Sequence, residues 1–216
     1  MNPGRRWGGL AFGARALGWG GLLGAGLVCA VLGVSAALGW FGLQGVRAVP
    51  GVNVPVDFER WNYFARSVGW QASQSLWEAT FLCLPTLGLR RVLPLPVAVL
   101  TASLAFGCLH FWNPHATGLT CLTVAVVGGL PACAVYLWTR SYWAAFGFHF
   151  AWNLALGPVF GVIVAGYPRF GLLASELAGP ALWTGGLYGP EGGLLALLLS
   201  GVAALALLWA ITRRAP

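Results

Sequence analysis

The sequence is poor in charged residues and contains no lysine. Only 8% of its 216 residues are charged, as twelve arginines and five acids, whereas soluble domains average about 25%. So few charges cannot cover a water-soluble globule, which argues against a soluble enzyme and against a disordered tail. The net charge of +7 does not indicate a nucleic-acid partner, because the arginines lie in small clusters between apolar runs, as in membrane proteins.

Hydrophobic residues make up 58% of the chain, and the mean hydropathy is +0.77. A helical membrane span needs about 20 apolar residues. Six runs meet this requirement: 17–40, 65–89, 94–112, 117–138, 141–165 and 192–212. No segment alternates as a barrel strand does. The sequence therefore predicts an all-α polytopic bundle of about six transmembrane helices, which forms one domain over residues 1–216. It predicts a multi-pass protein of a cell membrane with the lipid bilayer as a partner, and the composition suggests the bacterial inner membrane.

The distribution of arginine predicts the orientation of the bundle. Eight arginines lie on the side of the two termini: Arg5, Arg6, Arg15, Arg90, Arg91, Arg140, Arg213 and Arg214. Four lie on the opposite side: Arg47, Arg60, Arg66 and Arg169. Cytoplasmic loops are enriched in basic residues, so both termini are predicted to be cytoplasmic. Four of the five acids fall in the opposite loops: Asp57, Glu59, Glu176 and Glu191.

The remaining acid, Glu78, is the only one inside a predicted span. It continues a polar stripe of Gln71, Gln74 and Ser75, whose spacing places all four residues on one face of a helix. Ionisable residues within a membrane span usually face the bundle interior or a water-filled cavity, and they often mark a functional site. The stripe therefore predicts a polar interior beside span two.

Histidine and asparagine mark two further spans. Ser103, Phe106 and His110 share one face of span three, and His149 and Asn153 are one turn apart in span five. A rise of about 1.5 Å per residue allows Glu78, His110, His149 and Asn153 to share one level near the membrane centre. His115 follows Asn113-Pro114 at the end of span three and is interpreted as a loop residue.

This residue set is compatible with three kinds of chemistry. Histidine and asparagine can simply form hydrogen bonds between helices. Alternatively, Glu78 and a histidine can activate water, while His149 or Asn153 stabilises an oxyanion. Glu78, His110 and His149 could instead hold a divalent metal such as zinc with an open water position. The residues alone leave a metal-free and a metal-dependent site equally open.

At these positions the sequence resembles the CPBP family of intramembrane proteases, which includes CAAX prenyl endopeptidases and bacteriocin-processing or self-immunity proteins. The family carries the motifs EExxxR, FxxxH and HxxxN or HxxxD. The second motif stands here as Phe106-Gly-Cys-Leu-His110, and the third as His149-Phe-Ala-Trp-Asn153. The resemblance covers about residues 70–160. It implies hydrolysis of a peptide bond in a membrane-associated peptide or protein, with Glu78 and His110 activating water and His149 and Asn153 stabilising the oxyanion.

The first motif departs from the family pattern. If Glu78 corresponds to the first glutamate, Ala79 replaces the second glutamate and Cys83 the arginine. If Glu78 corresponds to the second, Trp77 and Leu82 are the replacements. The first alignment is preferred, because the family's mechanism assigns water activation to the first glutamate.

Two other functions remain open at this stage. A catalytically inactive member of the family, with an immunity or interaction role, would explain the degenerate first motif. A small proton-coupled transporter could use Glu78 and the histidines as a proton relay. The lack of an inverted repeat or of paired broken spans makes the transporter the weaker alternative.

Overall fold

The computed structural model describes residues 13–46, 56–168 and 171–213, and only the backbone of residues 56–60. Part of the orientation prediction lies outside these described residues. It concerns Arg5, Arg6, Arg47, Arg169 and Arg214 and the side chains of Asp57, Glu59 and Arg60.

Helices dominate the described chain. They are α1 (Ala14–Ala37), α2 (Val56–Leu89), α3 (Leu95–Leu109), α4 (Gly118–Val124), α5 (Leu130–Thr139), α6 (Tyr142–Leu154), α7 (Ala181–Thr184) and α8 (Leu194–Arg213). A 3-10 turn at His110–Trp112 continues α3, and π-helical turns at Ala125–Gly129 and Ala155–Val159 follow α4 and α6. Two further 3-10 turns, Gly186–Tyr188 and Pro190–Gly192, precede α8.

Every predicted span coincides with a helical segment, which confirms the all-α membrane-type bundle. Four segments of the described chain are long and apolar enough to cross a bilayer: Ala14–Ala37, Leu95–Trp112, Gly118–Thr139 and Leu194–Arg213. The predicted spans 65–89 and 141–165 fall on α2 and α6, which are not among these four. The count of six spans and the cytoplasmic termini therefore stay predictions.

The fifth predicted span, 141–165, extends beyond the helical segment that the structure shows. Its helical part ends at Val159, in the π-helical turn that contains Pro158, and Gly161 then adopts a left-handed φ of 67°. Proline cannot continue the helical hydrogen-bond ladder, and a left-handed residue turns the chain away from the helix axis. Residues up to 165 consequently form a loop that folds back over the bundle.

A small antiparallel sheet is an addition that the sequence analysis does not predict. Strand β1 (Phe41–Val46) pairs with β2 (Leu173–Leu177), and Gln44 Nε2 donates a hydrogen bond of 2.7 Å to Glu176 Oε2 across the pair. The sheet ties the segment after α1 to the long connection before α8. Its strands are short and far apart in sequence, so no local sequence pattern predicts their pairing.

Helices α1 and α6 approach each other through glycines. A Cβ atom on Gly20 would lie 1.9 Å from the carbonyl oxygen of Ala144, and one on Gly24 would lie 2.3 Å from that of Phe148. Gly147 of α6 faces the backbone of α1 at Leu17 in the same way. Small residues allow such close contact between membrane helices, as the spacing of Gly20 and Gly24 indicates. The contact fixes α6, which carries His149 and Asn153.

We expect Gly24→Ala to destabilise the protein by about 1–3 kcal/mol, because the added methyl group overlaps backbone atoms of α6 and forces the helices apart. The measurement is thermal unfolding in detergent. Gly26→Ala is the matched control, since a Cβ atom there meets nothing within 4 Å. Equal melting temperatures for the two variants would contradict this role of Gly24.

Candidate active site

The polar stripe of α2 faces an open cavity of about 440 Å³, whose lining includes the exposed side chains of Trp70 and Trp77. Gln71, Gln74 and Glu78 line this cavity, whereas Ser75 is fully buried and lies outside its lining. Three residues of the stripe therefore share one cavity, but this cavity is open, and Gln74 is exposed. Aromatic residues of α2 form the apolar part of the same wall: Trp70, Trp77 and Phe81.

Glu78 makes its closest described contacts with α6. Asn153 Nδ2 donates a hydrogen bond of 3.0 Å to Glu78 Oε2, and His149 Nδ1 lies 3.4 Å from the same oxygen. The side chains of His149 and Glu78 are 5% and 21% exposed, so the contact is largely shielded from solvent. Because His149 and Asn153 are one helical turn apart, both reach one carboxylate oxygen from the same face of α6.

His110 reaches this region from the end of α3. Its Nδ1 lies 2.9 Å from the carbonyl oxygen of Phe106. A carbonyl oxygen can only accept, so Nδ1 carries the proton and Nε2 of the neutral ring is an acceptor. The ring of Phe106 contacts both histidines, with centroid distances of 4.7 Å to His110 and 5.3 Å to His149.

The π-helical turn at Ala125–Gly129 brings the backbone close to these rings. A Cβ atom on Gly128 would lie 3.0 Å from Phe106 Cε1 and 3.5 Å from His149 Cε1, and one on Gly129 would meet Ser103 at 2.8 Å. Single π turns inside helices often occur at functional sites. Here the turn packs glycine against the aromatic rings and leaves little room for a larger residue.

A second, smaller cavity of about 10 Å³ lies among these side chains. Glu78, His110, His149 and Glu191 all line it. Its volume is just sufficient for one water molecule. Nε2 of His149 is buried and has no hydrogen-bond partner among the described residues, which leaves this nitrogen available for a water molecule or a substrate atom.

Glu191 is the cavity residue that the sequence analysis missed. Its position in the sequence predicts an outer loop, apart from the intramembrane site. In the structure it lines both cavities together with Glu78 and His110. No local sequence pattern before the last span indicates that Glu191 belongs to the site, because a loop residue reaches the site only through tertiary folding. Burial, with the nearby charge of Glu191, raises the pKa of Tyr188, so this phenol keeps its proton at neutral pH.

The other predicted positions lie outside the cavities. Ser103 is buried beside Cys133, with 3.9 Å between Oγ and Sγ, and His115 is exposed with a left-handed φ of 60°. The described residues contain no group of three or more His, Cys, Asp or Glu side chains arranged to hold a metal ion. A metalloprotease-like site made of Glu78, His110 and His149 is therefore not supported.

Comparison with known families agrees with the geometry. Residues 69–155 match the family described as Type II CAAX prenyl endopeptidase Rce1-like. This segment is Rce1-like. The match confirms the resemblance that the motifs indicate and nearly coincides with the expected range of 70–160. No curated protein and no solved structure matches the chain significantly.

The Rce1-like segment contains Glu78, His110, His149 and Asn153, and it ends before Glu191. Together with the four apolar helices, the match identifies an integral membrane protein in contact with the lipid bilayer.

The Glu78–Asn153 hydrogen bond should be measurable by a double-mutant cycle. We expect Glu78→Ala and Asn153→Ala to be coupled by about 0.5–3 kcal/mol in the free energy of unfolding, because each variant leaves the other group unpaired. Asn113→Ala is the control partner for Glu78→Ala, since Asn113 lines the 440 Å³ cavity without a described bond to Glu78. Additive effects of Glu78 and Asn153 would show that the bond does not form.

Proposed function

We propose that this protein is an intramembrane endopeptidase of the CPBP type, which hydrolyses a peptide bond of a membrane-associated substrate. The observation that carries the proposal is that Glu78 and His110 line two neighbouring cavities between α2, α3 and α6, where His149 lines the smaller cavity and Asn153 the larger one. We further propose that the chain acts as a single membrane domain, and that it resides in a bacterial inner membrane.

The arrangement supports activation of one water molecule by Glu78 and His110. Both side chains line the 10 Å³ cavity, and Nε2 of His110 is the acceptor nitrogen of its ring. In this proposal Glu78 accepts the proton of the water, while His110 orients the water through Nε2. The resulting oxygen nucleophile attacks the carbonyl carbon of a peptide bond in the larger cavity and forms a tetrahedral intermediate. When this intermediate collapses, the C–N bond breaks and Glu78 returns the proton to the leaving nitrogen, which releases an amine and a carboxylate.

His149 and Asn153 are suited to stabilise the negative charge that then develops on the carbonyl oxygen. Asn153 Nδ2 carries two hydrogens, and its bond to Glu78 uses one of them. The second hydrogen is available to the oxyanion. His149 contributes from the same helix face, and its neutral ring donates to the oxyanion in the tautomer that carries the proton on Nε2.

The altered first motif is compatible with this chemistry. Ala79 and Cys83, the replacements in the preferred alignment, are 0% and 3% exposed in the packed core, and neither lines the cavities. An acid and an arginine at these positions would require polar partners that the apolar packing does not offer. The replacements therefore change residues that pack behind the site, and they leave the groups that line the two cavities unchanged.

The larger cavity suits a peptide with apolar side chains. Its wall combines the aromatic residues of α2 with the amides Gln71, Gln74 and Asn113. Amide groups can pair with a peptide backbone, whereas aromatic surfaces bury apolar side chains. A substrate held beside the bilayer would meet both features.

Replacement of the water-activating groups should abolish proteolysis. We expect Glu78→Gln and His110→Ala to lower the cleavage rate of a membrane-anchored peptide by about 10²–10⁴-fold, because the first variant removes the base and the second removes the group that orients the water. Purified protein in detergent is assayed by mass spectrometry of the products. Glu176→Gln is the matched control, since Glu176 pairs with Gln44 in the β1–β2 sheet and lines neither cavity. Unchanged cleavage in both site variants would refute the assignment.

The oxyanion groups should affect the rate more than substrate binding. We expect Asn153→Ala to lower kcat by about 10²–10³-fold with a smaller change in KM, because the lost hydrogen bond strengthens as charge develops. Steady-state kinetics on the same peptide measure both constants. A rise in KM at constant kcat would instead assign Asn153 to substrate binding.

A further inference from the structure

We propose that Glu191 is a positioning residue of this site and supplies its second carboxylate from the turn before α8. The inference rests on the proposed peptidase function and adds a residue outside the Rce1-like segment. It places a functional group in the part of the chain that the motifs do not cover.

The carboxylate of Glu191 connects two structural elements. Trp152 Nε1 donates a hydrogen bond of 2.9 Å to Oε1, and the backbone N–H of Ala165 donates one of 2.6 Å to Oε2. Trp152 belongs to α6, whereas Ala165 belongs to the loop after that helix. Each oxygen thus accepts from a different element, as suits an ionised carboxylate.

The turn that carries Glu191 is itself held in place. Pro190 and Gly192 on either side are buried, and a Cβ atom on Gly192 would lie 3.0 Å from Thr120 Cγ2. Gly189 has a φ of 94°, and a Cβ atom there would lie 2.5 Å from the carbonyl oxygen of Ile163. Because the backbone is packed this closely, Glu191 is a rigid anchor.

Through Trp152, Glu191 contacts the part of α6 that carries the proposed oxyanion groups. Trp152 directly precedes Asn153, lies three residues after His149 and is only 3% exposed. A fixed indole restricts rotation of α6, and with it the direction in which His149 and Asn153 point. Displacement of catalytic groups by about 1 Å can reduce a rate about 10²-fold.

Glu191 also holds a strained loop against the cavity. Ala165 has a left-handed φ of 48°, which is unfavourable for a residue with a Cβ atom. Ala165 also lines the 440 Å³ cavity. The bond from its N–H to Glu191 stabilises this conformation and thereby fixes part of the substrate-facing wall.

The first test is independent of catalysis. Hydrogen exchange is measured by mass spectrometry on peptides that contain Ala165, in wild type, Glu191→Gln and Glu191→Ala. We expect exchange at this amide to be at least about 10-fold faster in Glu191→Ala, since its acceptor is lost. Glu176→Gln is the matched control and should leave these peptides unchanged. Unaltered exchange in both Glu191 variants would overturn the proposal.

The second test measures coupling through Trp152. We expect Glu191→Gln to lower kcat about 10²-fold with a smaller change in KM, and Trp152→Phe, which removes the indole donor, to lower it as well. If Glu191 acts through Trp152, the double variant should be no slower than the slower single variant. Multiplicative losses would overturn this positioning role.

The two proposals fail in distinguishable ways. A wild-type protein that cleaves no peptide would refute the peptidase function, while the hydrogen-exchange result would still decide whether Glu191 anchors the loop. A protein that cleaves normally in the Glu191→Gln form would refute the positioning role and leave the peptidase function standing.

Discussion

The site depends on how a carboxylate is accommodated inside an apolar bundle. Glu78 lies on a helix that is surrounded mainly by hydrophobic residues, where an isolated charge is strongly disfavoured. The hydrogen bond from Asn153 and the proximity of His149 provide polar partners within 3.4 Å. Because these partners come from α6, the position of α6 relative to α2 determines whether Glu78 is stabilised.

The rest of the bundle maintains that position by close backbone packing. Gly20 and Gly24 bring α1 against α6, and the π-helical turn with Gly128 packs against Phe106 and His149. Because glycine has no side chain, the backbones approach closely at these positions, and only small cavities remain near the reactive groups. The polar groups of the site and the small residues around it are consequently parts of one packing arrangement.

Much of this arrangement could be predicted from local sequence patterns. The helical stripe of Gln71, Gln74 and Glu78 faces the cavity as its spacing indicates, and His149 and Asn153 share one helix face. The FxxxH and HxxxN spacings indicated the same resemblance as the Rce1-like match, over nearly the same residues. The spacing predicts that Ser103 shares a polar face with His110, but Ser103 packs beside Cys133. Helical periodicity predicts which face of the helix a side chain occupies, but it does not predict which residue of another helix the side chain contacts. The β1–β2 pair joins segments over 120 residues apart and has no local signature.

The sequence by itself determined that this is a helical membrane protein, because charge is scarce and apolar runs are long. It also determined which ionisable residues lie within the spans, since helical spacing is a local property. Only the tertiary structure decided that Glu191 joins them. Its carboxylate accepts hydrogen bonds from Trp152 and Ala165. Such long-range contacts depend on the arrangement of the helices rather than on the residues beside Glu191 in the chain.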